Sequence, residues 1–132
     1  MKKSAGIIIQ NDSLLVVRSQ GKDVFFAPGG KPEAGESTQQ TLVRELNEEI
    51  GITLTEADIS FYNVYTANAA GHDQVELEMS VFTVHHYQGE IKASAEIAEI
   101  KWVNSTNVAQ TPISTIFKSY VFPELLEQGL IR

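Results

Sequence analysis

The sequence contains no cysteine, which excludes disulfide bridges, zinc–thiolate sites and thiol nucleophiles together. It also lacks any apolar run of the roughly 18 residues that a membrane-spanning helix requires. The apolar run 5–9 ends at Gln10 and is too short for the hydrophobic region of a signal peptide. These absences predict a protein of the reducing cytoplasm that has no membrane partner.

Positive charge is scarce as well. The chain has 10 Lys and Arg residues against 17 Asp and Glu residues, and its formal net charge is −7. Because proteins bind duplex nucleic acid through a basic face, we expect no such partner. A phosphate-bearing substrate would need a local source of positive charge, either a few well-placed Arg and Lys side chains or a bound divalent metal.

The 132 residues fit one domain over 1–132, and no repeat, linker or low-complexity tract divides them. The order of strands, helix, strands and helix predicts an α/β fold, with a mixed sheet and helices on both faces. The predicted elements of the first half are a hairpin of 5–9 with 14–18, a strand over 24–26, a loop over 28–36 and a helix over 38–50. Those of the second half are strands over 59–66 and 75–86 joined by a polar loop over 67–73, and a strand over 97–103. The residues 113–120 and 123–128 predict a C-terminal helix, either continuous or in two pieces.

The helix predicted over 38–50 has clear sequence signals at both ends. Ser37 and Gln40 fit a capping box at its start, and Gly51 is a typical C-terminal stop. Apolar side chains at helical spacing give it one buried stripe, formed by Leu42, Val43, Leu46 and Ile50. The loop before it is rich in glycine, which lets backbone approach a ligand closely.

Three acidic residues of this helix share one face, because Glu45 is three residues from Glu48 and four from Glu49. Like charges at this spacing destabilise a helix, and the helix dipole disfavours anions in its last turns. A bound cation reverses both effects, and Mg²⁺ prefers carboxylate oxygen. The alternative is a solvated acidic face. The glycine-rich loop and Glu36 at its end favour a metal site.

These residues resemble the signature box of the Nudix hydrolases. That box reads Gly, five residues, Glu, seven residues, Arg-Glu, an aliphatic residue, one residue, Glu-Glu, one residue, Gly and an aliphatic residue. The positions are filled here by Gly30, Glu36, Arg44, Glu45, Leu46, Glu48, Glu49, Gly51 and Ile52. The stretches Pro28-Gly29-Gly30-Lys31 and Trp102-Val103 are also similar to this family.

The resemblance implies an α/β/α sandwich with a mixed β-sheet. It implies metal-dependent hydrolysis of a phosphoanhydride bond in a nucleoside diphosphate linked to another group. The implied metal, Mg²⁺ or Mn²⁺, would be held by Glu45, Glu48, Glu49 and the Gly30 carbonyl, with Glu36 supporting the loop or joining the outer metal shell.

The resemblance also implies catalytic roles. Arg44 would orient a box glutamate through a charge-assisted hydrogen bond. Glu48 is the first candidate for the base that takes a proton from the attacking water, and Glu49 is the second. Because the base lies outside the box in some members, Glu96 and Glu99 qualify too, although surface charge at a strand edge explains them equally well.

Three other residues are weaker candidates for contacts with a substrate. Arg18 ends a predicted strand, Lys31 lies in the glycine-rich loop, and each could reach a phosphate or simply lie at the surface. Phe26 could stack on a base, although such aromatic residues more often belong to the core.

The box does not define the substrate. ADP-ribose-cleaving members tend to carry a proline where Ala67 stands, and dinucleoside-polyphosphate members a tyrosine where residues 68–71 stand. The default is then a MutT-like nucleoside triphosphate pyrophosphohydrolase. The alternatives are a hydrolase of ADP-ribose, a nucleotide sugar or a non-nucleoside diphosphate, and a non-catalytic nucleotide-binding domain. The sequence leaves the oligomeric state open, a homodimer being one option.

Overall fold

The computed structural model of the chain describes residues 1–69 and 72–132. In that part the elements, in chain order, are β1 (Lys2–Ile7), β2 (Ile9–Gln10), β3 (Ser13–Ser19), β4 (Gly29–Gly30), α1 (Thr38–Ile50), β5 (Ile59–Ala69), β6 (His72–Val84), β7 (Ile97–Val103) and α2 (Phe122–Glu127). No helix within the described residues is long and apolar enough to cross a bilayer.

The strands form two sheets. One is mixed, in the order β4-β1-β6-β5, where β1 runs parallel to β6 and antiparallel to β4. The other is antiparallel, in the order β2-β3-β7. Helix α1 packs on one side of the strands and α2 on the other, so the structure confirms the predicted α/β/α sandwich.

Two hydrophobic clusters fill the spaces between the strands and the two helices. Leu14 and Val16 of β3 face the cluster that includes α2, and Leu15 and Val17 face the cluster that includes α1. All four side chains are fully buried. The continuous apolar run in β3 follows from this position, because a strand covered on both faces has no polar side.

Helix α1 confirms the predicted helix at both ends. The Ser37 hydroxyl accepts the Gln40 amide, and the Gln40 side chain accepts the Ser37 amide, which completes the capping box. Gly51 ends the helix in the left-handed region, with φ 73°, and its amide donates to the Asn47 carbonyl.

The predicted hairpin of 5–9 with 14–18 is wrong over most of its length. β1 leaves that sheet and pairs with β4 and β6 instead. Only β2 pairs with β3, across a turn in which Asn11 and Asp12 have φ 50° and 63°. The apolar run 5–9 therefore contributes residues to both sheets, and the chain passes from one sheet to the other at Ile8.

The loop predicted over 28–36 contains a two-residue strand. Gly29 and Gly30 of β4 pair with Ala5 and Ser4 of β1. Gly29 has φ 154°, and a Cβ there would lie 1.9 Å from the Ser4 carbonyl oxygen, so glycine is required. This pairing fixes the glycine-rich segment against β1.

The strands of the long hairpin extend further toward their turn than predicted, whereas β6 ends at Val84 rather than at residue 86. β5 continues to Ala69 and β6 begins at His72, so most of the loop predicted over 67–73 is strand, and residues 70 and 71 lie outside the described part. The strand predicted over 24–26 is wrong, because that segment makes only isolated bridges. The prediction for 97–103 is confirmed by β7.

The predicted C-terminal helix is present as one continuous run over 115–127. Its middle, Phe117–Val121, is a π-helical turn, and α2 follows directly. The helix type changes at Val121–Phe122, one residue before Pro123, which has no amide hydrogen to donate.

Candidate active site

The acidic residues of α1 line a pocket of about 510 Å³ beside β4 and β1, here called the acidic pocket. The structure brings most of the predicted site residues together there: Phe26, Gly30, Lys31, Arg44, Glu45, Glu48, Glu49 and Glu96. Lys3, Ser19, Gly29 and Glu33 also line it and were missed by sequence reasoning. Five glutamates face this pocket against three cations, so carboxylates predominate in its lining.

Arg44 ties the glycine-rich segment to the acids of α1. Its Nε and Nη2 donate to the two Glu36 oxygens at 2.7 Å and 3.0 Å. Its Nη1 donates to Glu45 at 2.6 Å and to Glu48 at 3.2 Å, and Nη2 also donates to the Lys31 carbonyl at 2.9 Å. These acceptors hold the guanidinium between the glycine-rich segment and two box glutamates, which is the position that the predicted orienting role requires.

Glu36 faces this arginine and does not line the acidic pocket. Besides both arginine bonds, it accepts the Thr41 hydroxyl at 3.1 Å and the Glu33 amide at 2.8 Å. The hydrogen bonds from Arg44 lower the pKa of Glu36 to about 2. Of the two roles considered for Glu36, its contacts match loop support.

Replacing Arg44 with Lys removes the planar guanidinium, which bonds Glu36, Glu45 and Glu48 at the same time. We expect Arg44→Lys to lower the free energy of unfolding by about 2 kcal/mol, because several hydrogen bonds to charged groups are lost. Urea denaturation measures this loss. The matched control is Arg18→Lys, whose arginine forms a partly exposed pair with Glu99 and should cost less than about 1 kcal/mol. Equal losses in both variants would contradict the prediction.

Glu49 is the most deeply buried acid of the pocket, with only 3% of its surface exposed. The Gly29 amide donates to its Oε1 at 2.9 Å, so β4 fixes this side chain. Burial raises the pKa of Glu49 to about 8, the charges of Glu45 and Glu96 add to the rise, and Lys3 opposes it. The carboxyl therefore gains strongly from a neighbouring cation.

Glu45 and Glu48 differ in exposure. Glu45 packs against Gly30, where a Cβ would lie 2.4 Å from Glu45 Oε2, and burial raises the pKa of Glu45. The Glu48 side chain is 51% exposed and opens to the pocket. Glu48 is thus the box acid that water and a substrate reach most easily.

The chemistry of this donor set fits a divalent metal. Three carboxylates and a backbone carbonyl are the hard oxygen ligands that Mg²⁺ and Mn²⁺ take. Burial raises the pKa values of Glu45 and Glu49, so a cation bound beside them would offset the cost of carrying charge there. Among the described residues, no three acidic or His side chains already converge at metal-binding distance, and Arg44 Nη1 bonds both Glu45 and Glu48.

Arg18 and Glu99 are not brought to the acidic pocket. They pair with each other across β3 and β7, with Arg18 Nε 3.1 Å from Glu99 Oε1. Arg18 also donates to the Lys22 carbonyl at 2.8 Å and lies 6.0 Å from the centre of the Phe25 ring. The structure therefore separates these two candidates from the other predicted site residues.

A second pocket, of about 640 Å³, adjoins the first and is here called the apolar pocket. It shares Lys3, Phe26, Gly29 and Gly30 with the acidic pocket. Most of its remaining surface is apolar and comes from side chains that include Ala5, Val24, Ala27, Leu77 and Met79, while its polar lining residues are Ser4, Lys22, Asp23 and Ser114. The two pockets form a continuous site, one part rich in carboxylates and the other hydrophobic.

Comparisons with known proteins agree with the fold described above. The family model for the NUDIX domain matches residues 1–125. The chain belongs to the Nudix family. A solved MutT structure from Aliivibrio salmonicida or Vibrio cholerae superposes on this Nudix chain with a TM-score of 0.73 and 26% identity, covering 97% of this chain and 99% of the other.

Two curated relatives are named for their substrates. The ADP-ribose pyrophosphatase of Methanocaldococcus jannaschii is 27% identical over 122 residues, which cover 88% of this chain and 70% of that protein. The 8-oxo-dGTP diphosphatase of Escherichia coli is 41% identical over 61 residues, covering 40% of this chain and 47% of the relative. With the family match, they establish that the Nudix chain is a hydrolase of anhydride bonds in phosphorus-containing compounds.

Proposed function

We propose that the Nudix chain is a MutT-like nucleoside triphosphate pyrophosphohydrolase, which adds water to the triphosphate and releases pyrophosphate and a nucleoside monophosphate. The junction of the two pockets carries the proposal. A nucleotide has a matching division, with a flat, largely apolar base at one end and an anionic polyphosphate at the other. The apolar pocket, at about 640 Å³, also has the size of a small-molecule site.

The acids of α1 and the Gly30 carbonyl would hold the Mg²⁺ or Mn²⁺ on which hydrolases of this family generally depend. When bound, such an ion polarises water and offsets the charge that develops on phosphate. In this proposal Glu48 takes the proton of the attacking water, and its half-exposed side chain, which faces the pocket, supports that role. Glu49 is the less suitable base, since it is buried and bonded to the Gly29 amide.

ADP-ribose is a second candidate substrate. The observation that favours it is the relative from M. jannaschii, which is named an ADP-ribose pyrophosphatase and matches over 88% of this chain. The acidic pocket serves either substrate, because both contain a nucleoside diphosphate. The products distinguish them: a triphosphate yields pyrophosphate, whereas ADP-ribose yields AMP and ribose 5-phosphate.

The deciding experiment is a product assay over canonical and oxidised nucleoside triphosphates, ADP-ribose, dinucleoside polyphosphates and nucleotide sugars, with Mg²⁺ or with a chelator. Metal-dependent release of pyrophosphate from one triphosphate, with kcat/KM at least about tenfold above the other compounds, supports the proposal. Preferential cleavage of ADP-ribose would replace it with the second candidate. Turnover of none of these compounds would contradict both.

Metal binding should also stabilise the fold. At an ion concentration about ten times its Kd, linkage adds about 1.4 kcal/mol, which corresponds to a rise in Tm of roughly 4 °C. We expect this shift with Mg²⁺ or Mn²⁺ in the wild type and in Glu90→Gln, which removes an exposed acid outside the acidic pocket. The shift should disappear in Glu45→Gln. Calorimetric melting with and without the ion tests this, and an unchanged wild-type Tm would count against the metal site.

A further inference from the structure

Lys3 stands where the two pockets meet. It lines both the acidic pocket and the apolar pocket, whereas Lys31 lines only the former and Lys22 only the latter. Its place follows from the sheet, because the next two residues of β1, Ser4 and Ala5, pair with the glycines of β4. The backbone thus holds this lysine beside the glycine-rich segment.

The alternation of β1 directs Lys3 and Lys2 to opposite faces of the sheet. Lys3 shares its face with Ala5 and Ile7, whose side chains belong to the cluster that includes α2. The side chains of β6 that line the apolar pocket, Leu77 and Met79, pack against that same cluster. Lys2 is exposed and lines neither pocket.

The Lys3 ammonium forms no ion pair with a described residue. Among the described residues, no carboxylate lies within 4.0 Å of its nitrogen. Of the other two cations that line the acidic pocket, Arg44 already donates to Glu36, Glu45 and Glu48, and Lys31 does not reach the apolar pocket. The charge of Lys3 is still felt inside the site, since it opposes the rise in the pKa of Glu49. An available positive charge therefore faces the space between the acids and the apolar walls.

We propose that Lys3 is a substrate-positioning residue, whose ammonium binds the phosphoryl group next to the nucleoside and so sets how far a nucleotide enters the apolar pocket. This rests on the proposed function, because it requires a substrate with a nucleoside at one end and phosphate at the other. A phosphate at this boundary meets five glutamates of the acidic pocket, and a lysine donor there offsets part of that repulsion.

The test compares Lys3→Gln with Lys2→Gln, which removes the same charge one residue away and on the opposite face. Lys3→Arg restores the charge. Binding is measured without metal, by NMR titration with AMP and GMP and with adenosine and guanosine, and KM and kcat are then measured with the nucleoside triphosphate that is turned over fastest. We expect Lys3→Gln to weaken monophosphate binding about tenfold, which is the effect of losing one charge-assisted hydrogen bond.

Nucleoside binding should stay within about twofold of the wild type in Lys3→Gln, because the lost contact is to phosphate. The KM for the triphosphate should rise more than kcat falls, Lys3→Arg should recover most of the affinity, and Lys2→Gln should resemble the wild type. If Lys3→Gln lowers kcat and metal affinity but leaves AMP and GMP binding unchanged, the ammonium serves Glu49 instead and the proposal is overturned.

The two proposals fail in different ways. If the wild type hydrolyses a nucleoside triphosphate but Lys3→Gln and Lys2→Gln behave alike, only the role of Lys3 is wrong. If the wild type binds no monophosphate and turns over no nucleotide, the proposed function fails and the role of Lys3 falls with it.

Discussion

Glu48→Gln is expected to lower kcat at least about a hundredfold while leaving the fold intact, since a positioned base contributes about 10²–10⁴-fold to such a reaction. Glutamine keeps an oxygen that can accept from Arg44 Nη1, now 3.2 Å from the Glu48 carboxylate. The side chain is half exposed, so its replacement leaves no unsatisfied buried group. Steady-state kinetics on the best substrate, together with Tm, measure the two parts of this expectation.

Glu90→Gln is the matched control, because it removes the same charge from a side chain that is 80% exposed and outside the acidic pocket. It should keep the activity of the wild type. If Glu48→Gln also keeps near-normal activity, Glu48 is neither the base nor an essential ligand, and Glu49 and Glu96 become the candidates to replace next.

Replacing either of two consecutive glycines with alanine should have different effects. One replacement should lower catalytic activity, and the other should lower the free energy of unfolding. In Gly30→Ala the new Cβ would meet the Glu45 side chain, 2.4 Å from Oε2 and 2.5 Å from Cδ. A flexible side chain can move away, so we expect little change in Tm. The displaced carboxylate should lower kcat/KM about a hundredfold, because shifts of about 1 Å in a catalytic site have effects of that size.

In Gly29→Ala the new Cβ would instead meet backbone, 1.9 Å from the Ser4 carbonyl oxygen. Since β1 cannot move away without breaking its pairing with β4, we expect a loss of roughly 3 kcal/mol or more in the free energy of unfolding. Urea denaturation and kcat/KM of both variants decide the matter. A Gly30→Ala enzyme with normal kcat/KM would show that Glu45 need not keep its present position.

The parts of the fold that were predicted correctly are those encoded by neighbouring residues. Helix α1 needs only its cap residues, its apolar stripe and Gly51, and both of its ends were predicted correctly. The hairpin error arose because the run 5–9 is apolar throughout and gives no sign of which sheet each residue joins. Strand pairing depends on distant partners, and β1 pairs with β6 so that Lys2 lies opposite Glu78.

The same distinction between neighbouring and distant residues explains which site residues could be predicted. Residues of the helix and of the glycine-rich loop could be grouped from spacing alone, because they lie within one short stretch of sequence. Lys3 could not, since only the pairing of β1 with β4 brings it to the acids. Arg18 and Glu99 looked suitable by residue type, and only the register of β3 with β7 shows that they face each other.

The change of sheet at Ile8 has a consequence for how the domain unfolds. Ile7 is buried in the cluster that includes α2, and Ile8, its immediate neighbour, is buried in the cluster that includes α1. A layered protein of this kind has two separate hydrophobic clusters, each of which could in principle unfold without the other. Because a single peptide bond joins Ile7 to Ile8, a displacement of one cluster moves a buried residue of the other. The two halves should therefore lose structure in a single cooperative transition.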